Sequence, residues 1–178
     1  PTGVKITIVI VDDGCTDGTA SMVSNTYPEV KIIQGSGKLY WAGGMRFGWQ
    51  YWVKFQFFDA LLVFNDDIRL NSNGLKELIL TYHFARDLRG SLIAVSGAFL
   101  NQLGDKITYG GYLHTSFWHP LRFSMLEPSG SPRRIDTLNM NCALISKEAL
   151  DHVGFLTEYF IHGGADIEFG LKLRKVGG

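Results

Sequence analysis

Val4-Lys5-Ile6-Thr7-Ile8-Val9-Ile10-Val11-Asp12-Asp13-Gly14 opens the chain with a β-branched run that stops abruptly at two carboxylates and a glycine. A run of this kind, apolar almost throughout instead of alternating, is the pattern of a strand buried on both faces of a parallel sheet and ending in a loop. Downstream the element types alternate. Asp17 is placed to cap a short helix from Gly18 to Tyr27, Pro28 helps to end it, and Val30 to Ile33 reads as a second strand. A glycine-rich loop, Gly35 to Gly44, precedes a helix through Phe57, and Ala60 to Phe64 is the next buried strand, running into Asn65-Asp66-Asp67.

Further on, Asn73 is a cap for a helix to about Leu88, with Leu75, Leu78, Ile79 and Tyr82 at helical spacing, and Leu92 to Leu100 is strand-like. Residues 105 to 134 are rich in Gly, Pro, Ser and aromatics and read as irregular surface with one hairpin around Gly110-Gly111. Asp136 to Ser146 reads as a strand and Lys147 to His152 as a short helix. Ala165 to Val176 reads as a helix with acids in its first turn and bases in its last. The alternation predicts an α/β domain, a mainly parallel sheet between helices, with ligands at the carboxyl ends of its strands. Both acidic pairs fall at such ends. No repeat or linker divides the 178 residues, so one domain is expected.

Composition narrows the classes. Seventeen basic and seventeen acidic residues cancel, which speaks against nucleic acid as a partner. The two cysteines, Cys15 and Cys142, fit no metal spacing or disulfide framework, and cytoplasmic localisation is the expectation. The apolar runs are far shorter than the roughly 20 residues of a spanning helix. Much of the aromatic content lies in Tyr40 to Phe58, where core packing accounts for most of it. Trp41, set among glycines, is the one ring placed to line a ligand cleft.

One acidic pair at a strand end is ordinary turn composition. Two such pairs, Asp12-Asp13 and Asp66-Asp67, place like charges where a cation, a donor group or solvent must accommodate them. Magnesium and manganese prefer hard oxygen ligands and use one or two protein carboxylates, leaving positions for phosphate oxygens and water. A nucleoside diphosphate meets that need. A third group, Asp166 and Glu168 behind Gly163-Gly164, is in isolation only favourable charge at a helix start.

With these residues in place, the chain resembles family 2 glycosyltransferases of the GT-A fold. Val9 to Thr19 is similar to the family's early nucleotide-binding segment, with Cys15 where serine is usual. Leu62 to Asp67 is similar to the strand ending in its DxD-type metal motif, with Asn65 in first place. Gly35 to Gly48, with Trp41-Ala42-Gly43-Gly44, resembles a loop of rhamnosyl- and galactofuranosyl-type members. Asn141 to Ile145, Val153 to Phe155 and Phe160 resemble the acceptor-side segment. Gly164 to Arg174 resembles the ED-type motif, with Ala165 replacing its first acid.

The resemblance implies a metal-dependent (Mn2+ or Mg2+), inverting transfer from a nucleotide-sugar donor, UDP-sugar first and dTDP-rhamnose second. The acceptor would be a saccharide or lipid-linked hydroxyl in cell-surface polysaccharide synthesis, peripheral to the inner face of the membrane. Asp13, or alternatively Asp12, would bind the base; Asp66 would face the sugar and ribose; Asp67 would bind the metal; Asp166 would be the catalytic base. Gly43 and Gly44 would allow close approach of the donor, and Arg46 or Lys38 would contact the diphosphate. His162 is more simply a structural hydrogen-bonder than a ligand contact. The resemblance also implies a strand and helix before Val4 and further elements after Gly178, so that exposed sheet edges are open to pairing between copies. The competing class is a noncatalytic nucleotide-sugar-binding or scaffold domain. A nucleotidyltransferase would carry a basic phosphate loop that Val4 to Thr19 lacks.

Overall fold

The computed structural model describes residues 3–54 and 57–178. Phe55, within the expected aromatic helix, lies outside them. The chain forms two compact units, one of residues 1–57 with 155–165, the other of residues 58–154 with 166–178.

In the first unit, β1 (Val9–Asp12) pairs in parallel with β2 (Lys31–Gln34), joined by α1 (Thr19–Thr26). The strand is shorter than the β-branched run. Val4, Ile6 and Ile8 are exposed, because β1 is hydrogen-bonded only on its β2 side among the described residues, and a second neighbour is what buries such a run. The cap of α1 is displaced by one residue: Gly18 occupies the cap position with φ +86°, while Asp17 Oδ1 accepts from Thr19 N at 3.0 Å and Thr19 Oγ1 at 2.7 Å. α2 (Tyr40–Val53) packs on β1, where a Cβ at Gly48 would lie 3.2 Å from Val11 Cγ2. It begins earlier than expected and takes in Gly43 and Gly44, which are therefore helical residues and not loop. Tyr40 starts it at φ +52°, a left-handed value rare for a side-chain-bearing residue. Each helical glycine costs about 1 kcal/mol relative to alanine, and burial of Ala42 and Trp49 on the same helix offsets it.

In the second unit, β3 (Ala60–Phe64), β4 (Ala94–Ser96) and β10 (Cys142–Ser146) form a sheet in the order β3-β10-β4. β10 runs antiparallel to both neighbours, so the parallel arrangement expected from alternation is present only in β1–β2. The physical reason is the connection. β10 is reached through short strands and not a crossover helix: β5 (Phe99–Leu100), β6 (Ile107–Tyr109), β7 (Gly111–His114), β8 (Phe123–Met125) and β9 (Thr137–Leu138). A path of that kind leaves strand direction free. The hairpin in this stretch is β7–β8, closed over residues 115–122. Gly110 separates β6 from β7, which begins at Gly111, and the two strands belong to different sheets.

α3 (Gly74–Arg89) lays Leu78 and Tyr82 on one sheet face, against Ile93, Val95, Cys142 and Leu144. β10 is buried at every position. It ends at Ser146, whose buried hydroxyl accepts from Ile93 N and Ala149 N, both 3.1 Å, and donates to Ser91 O at 2.7 Å. That hydroxyl both completes the sheet and caps α4 (Lys147–Val153). α5 (Ala165–Lys175) crosses β9 at Gly170, and Thr137 Oγ1 donates to Ile167 O at 2.7 Å. No helix among the described residues is long and apolar enough to cross a membrane.

Candidate active site

Asp12 and Asp13 leave β1 in opposite roles from those of free ligands: both organise the loops around them. Asp12 is buried, with Oδ1 accepting from Cys15 N at 2.8 Å and Oδ2 from Gln34 Nε2 at 3.1 Å. The Cys15 hydrogen bond, then that of Gln34, hold its carboxyl below the usual range. Asp13 bridges to the other loop, Oδ1 accepting from Gly37 N and Oδ2 from Leu39 N, both at 2.7 Å. The two loops meet backbone to backbone. A Cβ at Gly14 (φ +87°) would lie 3.2 Å from Gly37 Cα, and one at Gly35 would lie 2.5 Å from Asp13 Oδ1. Glycine at 35 is a steric requirement of the Asp13 clamp.

The lowered pKa of Asp12 sets a pH expectation. A group with a folded pKa below its unfolded value, about 3.9, contributes stability above that value and loses it as pH falls through the folded one. The wild type and Asp12→Asn should therefore differ most in urea unfolding at neutral pH and converge as pH falls through and below the lowered carboxyl pKa; a difference constant from neutral to strongly acidic pH would remove the ionised Asp12 from the balance.

Other members of this unit bind the segment 155–161. Arg46 Nη1 donates to Thr157 O at 2.8 Å and Phe160 O at 3.3 Å, and Ala42 N donates to Ile161 O at 3.2 Å. Trp49 packs on Phe155, and Tyr40 meets His162 edge to face at 4.6 Å. Arg46 is thus a structural arm in this geometry, and His162 is an aromatic contact. Gly43 is packed on Leu39, whereas Gly44 faces open space. Trp41 is partly buried in the first turn of α2. A cavity of about 550 Å3 opens beside the amino ends of β1 and β2, lined by Thr7, Val9, Lys31, Tyr51, Trp52, Lys54 and Phe57. It holds no carboxylate and lies at the other end of the strands from Asp12 and Asp13.

In the second unit, Asp66 and Asp67 form the exposed turn after β3, and neither carboxylate has a hydrogen-bond or ion-pair partner among the described residues. Two unengaged hard oxygen donors suit Mg2+ or Mn2+, which complete their shells with phosphate oxygens and water. No group of three or more His, Cys, Asp or Glu is arranged to hold a metal among the described residues.

Asp166 is the buried carboxylate of this unit, 6% exposed in the first turn of α5. Its Oδ2 accepts from Asn139 Nδ2 at 2.8 Å and Met140 N at 3.4 Å, and its Oδ1 from Ile167 N at 2.9 Å. Asn139 is itself fixed. Its Oδ1 accepts from Asn141 N, its carbonyl accepts from Ser96 Oγ, and its N donates to Gly110 O. Asn141 O in turn accepts from Asn65 N at 3.0 Å, one residue beyond the Phe64–Cys142 register pair. Residues 139–141 therefore connect Asp166 to the strand end that carries Asp66 and Asp67. The Tyr112 phenol, raised first by burial and then by the negative charge of Asp166, stands near the same carboxylate. Neither Asn139 nor Tyr112 emerged from the sequence. The signal for Asn139 is the polar Asn139-Met140-Asn141 interruption in an otherwise strand-like run.

The strand-end pair Asp66 and Asp67 and the buried helix-start carboxylate Asp166 are joined through one hydrogen-bonded connector, residues 139–141. The family model for glycosyl transferase family 2 matches residues 2–154, and the chain belongs to that family, which implies the GT-A fold. The chain is also similar to the low-salt glycan biosynthesis hexosyltransferase Agl10 of Haloferax volcanii, at 22% identity over 169 residues, covering 94% of this chain and 53% of that protein. It thus spans about half the length of this curated relative.

Proposed function

We propose that the chain carries the donor-binding and catalytic residues of an inverting, metal-dependent glycosyltransferase that moves a sugar from a nucleoside diphosphate to an acceptor hydroxyl. UDP-sugars are the first choice of donor and dTDP-rhamnose the second. The acceptor is a saccharide or lipid-linked hydroxyl in cell-surface polysaccharide synthesis at the inner face of the membrane; the relative named a glycan biosynthesis hexosyltransferase supports hexose transfer in glycan synthesis. The observation that carries the reading is the setting of Asp166, a buried carboxylate fixed by Asn139 and Met140.

In the transfer, the acceptor oxygen bonds to the anomeric carbon, the bond from that carbon to the diphosphate oxygen breaks, and the acceptor proton passes to Asp166. A carboxylate offers about four lone-pair sites, so Asp166 retains capacity for that proton beyond its three amide donors. Asp67, with Asp66 beside it facing the sugar and ribose, would hold Mg2+ or Mn2+, which when bound stabilises charge on the departing diphosphate. Asp13, with Asp12 as the alternative, serves the base by shaping the loop of residues 35–39 and through its remaining lone pairs. Gly44 leaves room for the donor, while Gly43 supports the helix. Of the two cations, Arg46 has Nη1 engaged with carbonyls and Lys38 is the less encumbered partner for diphosphate.

Thermal denaturation with UDP tests this reading. At 100 times Kd the nucleotide should add about 2.7 kcal/mol in the presence of Mn2+, and both EDTA and Asp67→Ala should remove the gain. A shift that survives both removes Asp67 and the metal from donor binding. No shift with any uridine or thymidine diphosphate leaves the scaffold class standing.

A further inference from the structure

We propose that the tip of the β7–β8 hairpin is a bilayer-docking element for an anionic lipid surface. Phe117, Trp118 and Leu121 are 91%, 84% and 81% exposed, three large apolar side chains within five residues. Scattered exposed hydrophobes are ordinary, but a contiguous group at one loop tip marks a surface built to leave water.

The tip is ordered by its own hydrogen bonds. Thr115 N and Thr115 Oγ1 donate to Arg122 O at 2.9 and 3.2 Å, Arg122 N donates to His119 O at 3.0 Å, and His119 N donates to Ser116 Oγ at 3.2 Å. His114 Nε2 reaches His119 O at 3.1 Å and its ring packs on Phe123, across the register pair that closes the hairpin. The three apolar side chains are therefore displayed from a hydrogen-bonded turn.

Two observations select lipid as the occupant. From Thr115 to Arg122 the tip carries no Asp or Glu, while Arg122 is cationic, which complements an anionic headgroup layer. Trp and Phe beside such a cation are the residues that settle at the interface of a bilayer. The inference is independent of the transferase reading, since vesicle binding needs neither donor nor turnover.

Flotation of the full chain with vesicles of phosphatidylglycerol and phosphatidylcholine tests it. The wild type is expected to float with these vesicles and far less with phosphatidylcholine alone. The Phe117→Ser/Trp118→Ser double variant should lose binding at least tenfold, Leu121→Asp should weaken it similarly, and both should keep the wild-type melting temperature. Absence of wild-type flotation, or equal flotation of the variants, overturns the proposal. So does sedimentation showing a wild-type dimer that the double variant dissociates, which would assign the patch to a second copy. Equal binding to phosphatidylcholine alone overturns the anionic selectivity.

Discussion

Asp166→Asn is expected to lower the transfer rate by about 10²- to 10⁴-fold, the range that a positioned general base supplies, with nucleotide binding retained. The amide oxygen of asparagine can still accept from Asn139 Nδ2 and Met140 N, while its NH2 then replaces the acceptor of Ile167 N, so α5 keeps its tie to residues 139–140 and loses one hydrogen bond of its first turn. Also lost is the capacity to take a proton. Single-turnover rates and the UDP melting shift should be read on the same preparation. An unchanged rate would reject Asp166 as the base. A lost UDP shift would mean that the substitution damages more than proton transfer. Asn139→Ala should produce a milder version, because it removes one donor from Asp166 Oδ2, leaving Met140 N, without neutralising the carboxylate.

The largest stability effect is expected at Gly170. Alanine at an exposed helix interior would gain about 1 kcal/mol over glycine, yet here its Cβ would lie 2.9 Å from Thr137 Cα and 2.8 Å from Leu138 Cδ2. Thr137 Cα is backbone in a paired strand and cannot step aside cheaply. Overpacking typically costs 1–3 kcal/mol, and separation of α5 from β9 would also break the buried hydrogen bond from Thr137 Oγ1 to Ile167 O. The clash should win. Gly170→Ala is expected to lower stability by a net 1–3 kcal/mol, read as a loss of roughly 2–4 °C in Tm per kcal/mol for a chain of this size. A melting temperature at or above wild type would show that α5 can move off β9 freely.

The elements that could be read from sequence are those in which local chemistry and burial agree. Ala60 to Phe64 is a strand with the expected bounds, since its apolar run ends at polar residues on a strand end. The α4 and α5 helices lie within a residue of the expected bounds, α5 with acids and bases at opposite ends of residues 165–175. Strand direction was not readable, because the chain between β4 and β10 has no periodicity that specifies which way it returns. Leu92 to Leu100 is broken at Gly97-Ala98, and Asp136 to Ser146 at Asn139 to Asn141, where local turns prevail over β propensity.

Asp12, Asp13, Asp66, Asp67 and Asp166 were identifiable as carboxylates at strand or helix ends. The settings of Asp12 and Asp13 were hidden, since three of the donors that hold them are backbone amides of Cys15, Gly37 and Leu39, and an amide has no residue identity to read. Arg46 looked like a phosphate ligand because charge is visible in a sequence. The carbonyls of Thr157 and Phe160, more than a hundred positions away, are not.

The antiparallel strand between β3 and β4 has a further consequence for biogenesis. Its neighbours are translated first, but they pair with it and not with each other, so the sheet of the second unit has no ladder to form until the ribosome has passed Ser146. Closing such long loops is slow, and during that interval the edges of β3 and β4 are open to foreign strands. Nascent chains stalled before Cys142 should therefore be the most dependent on holding chaperones.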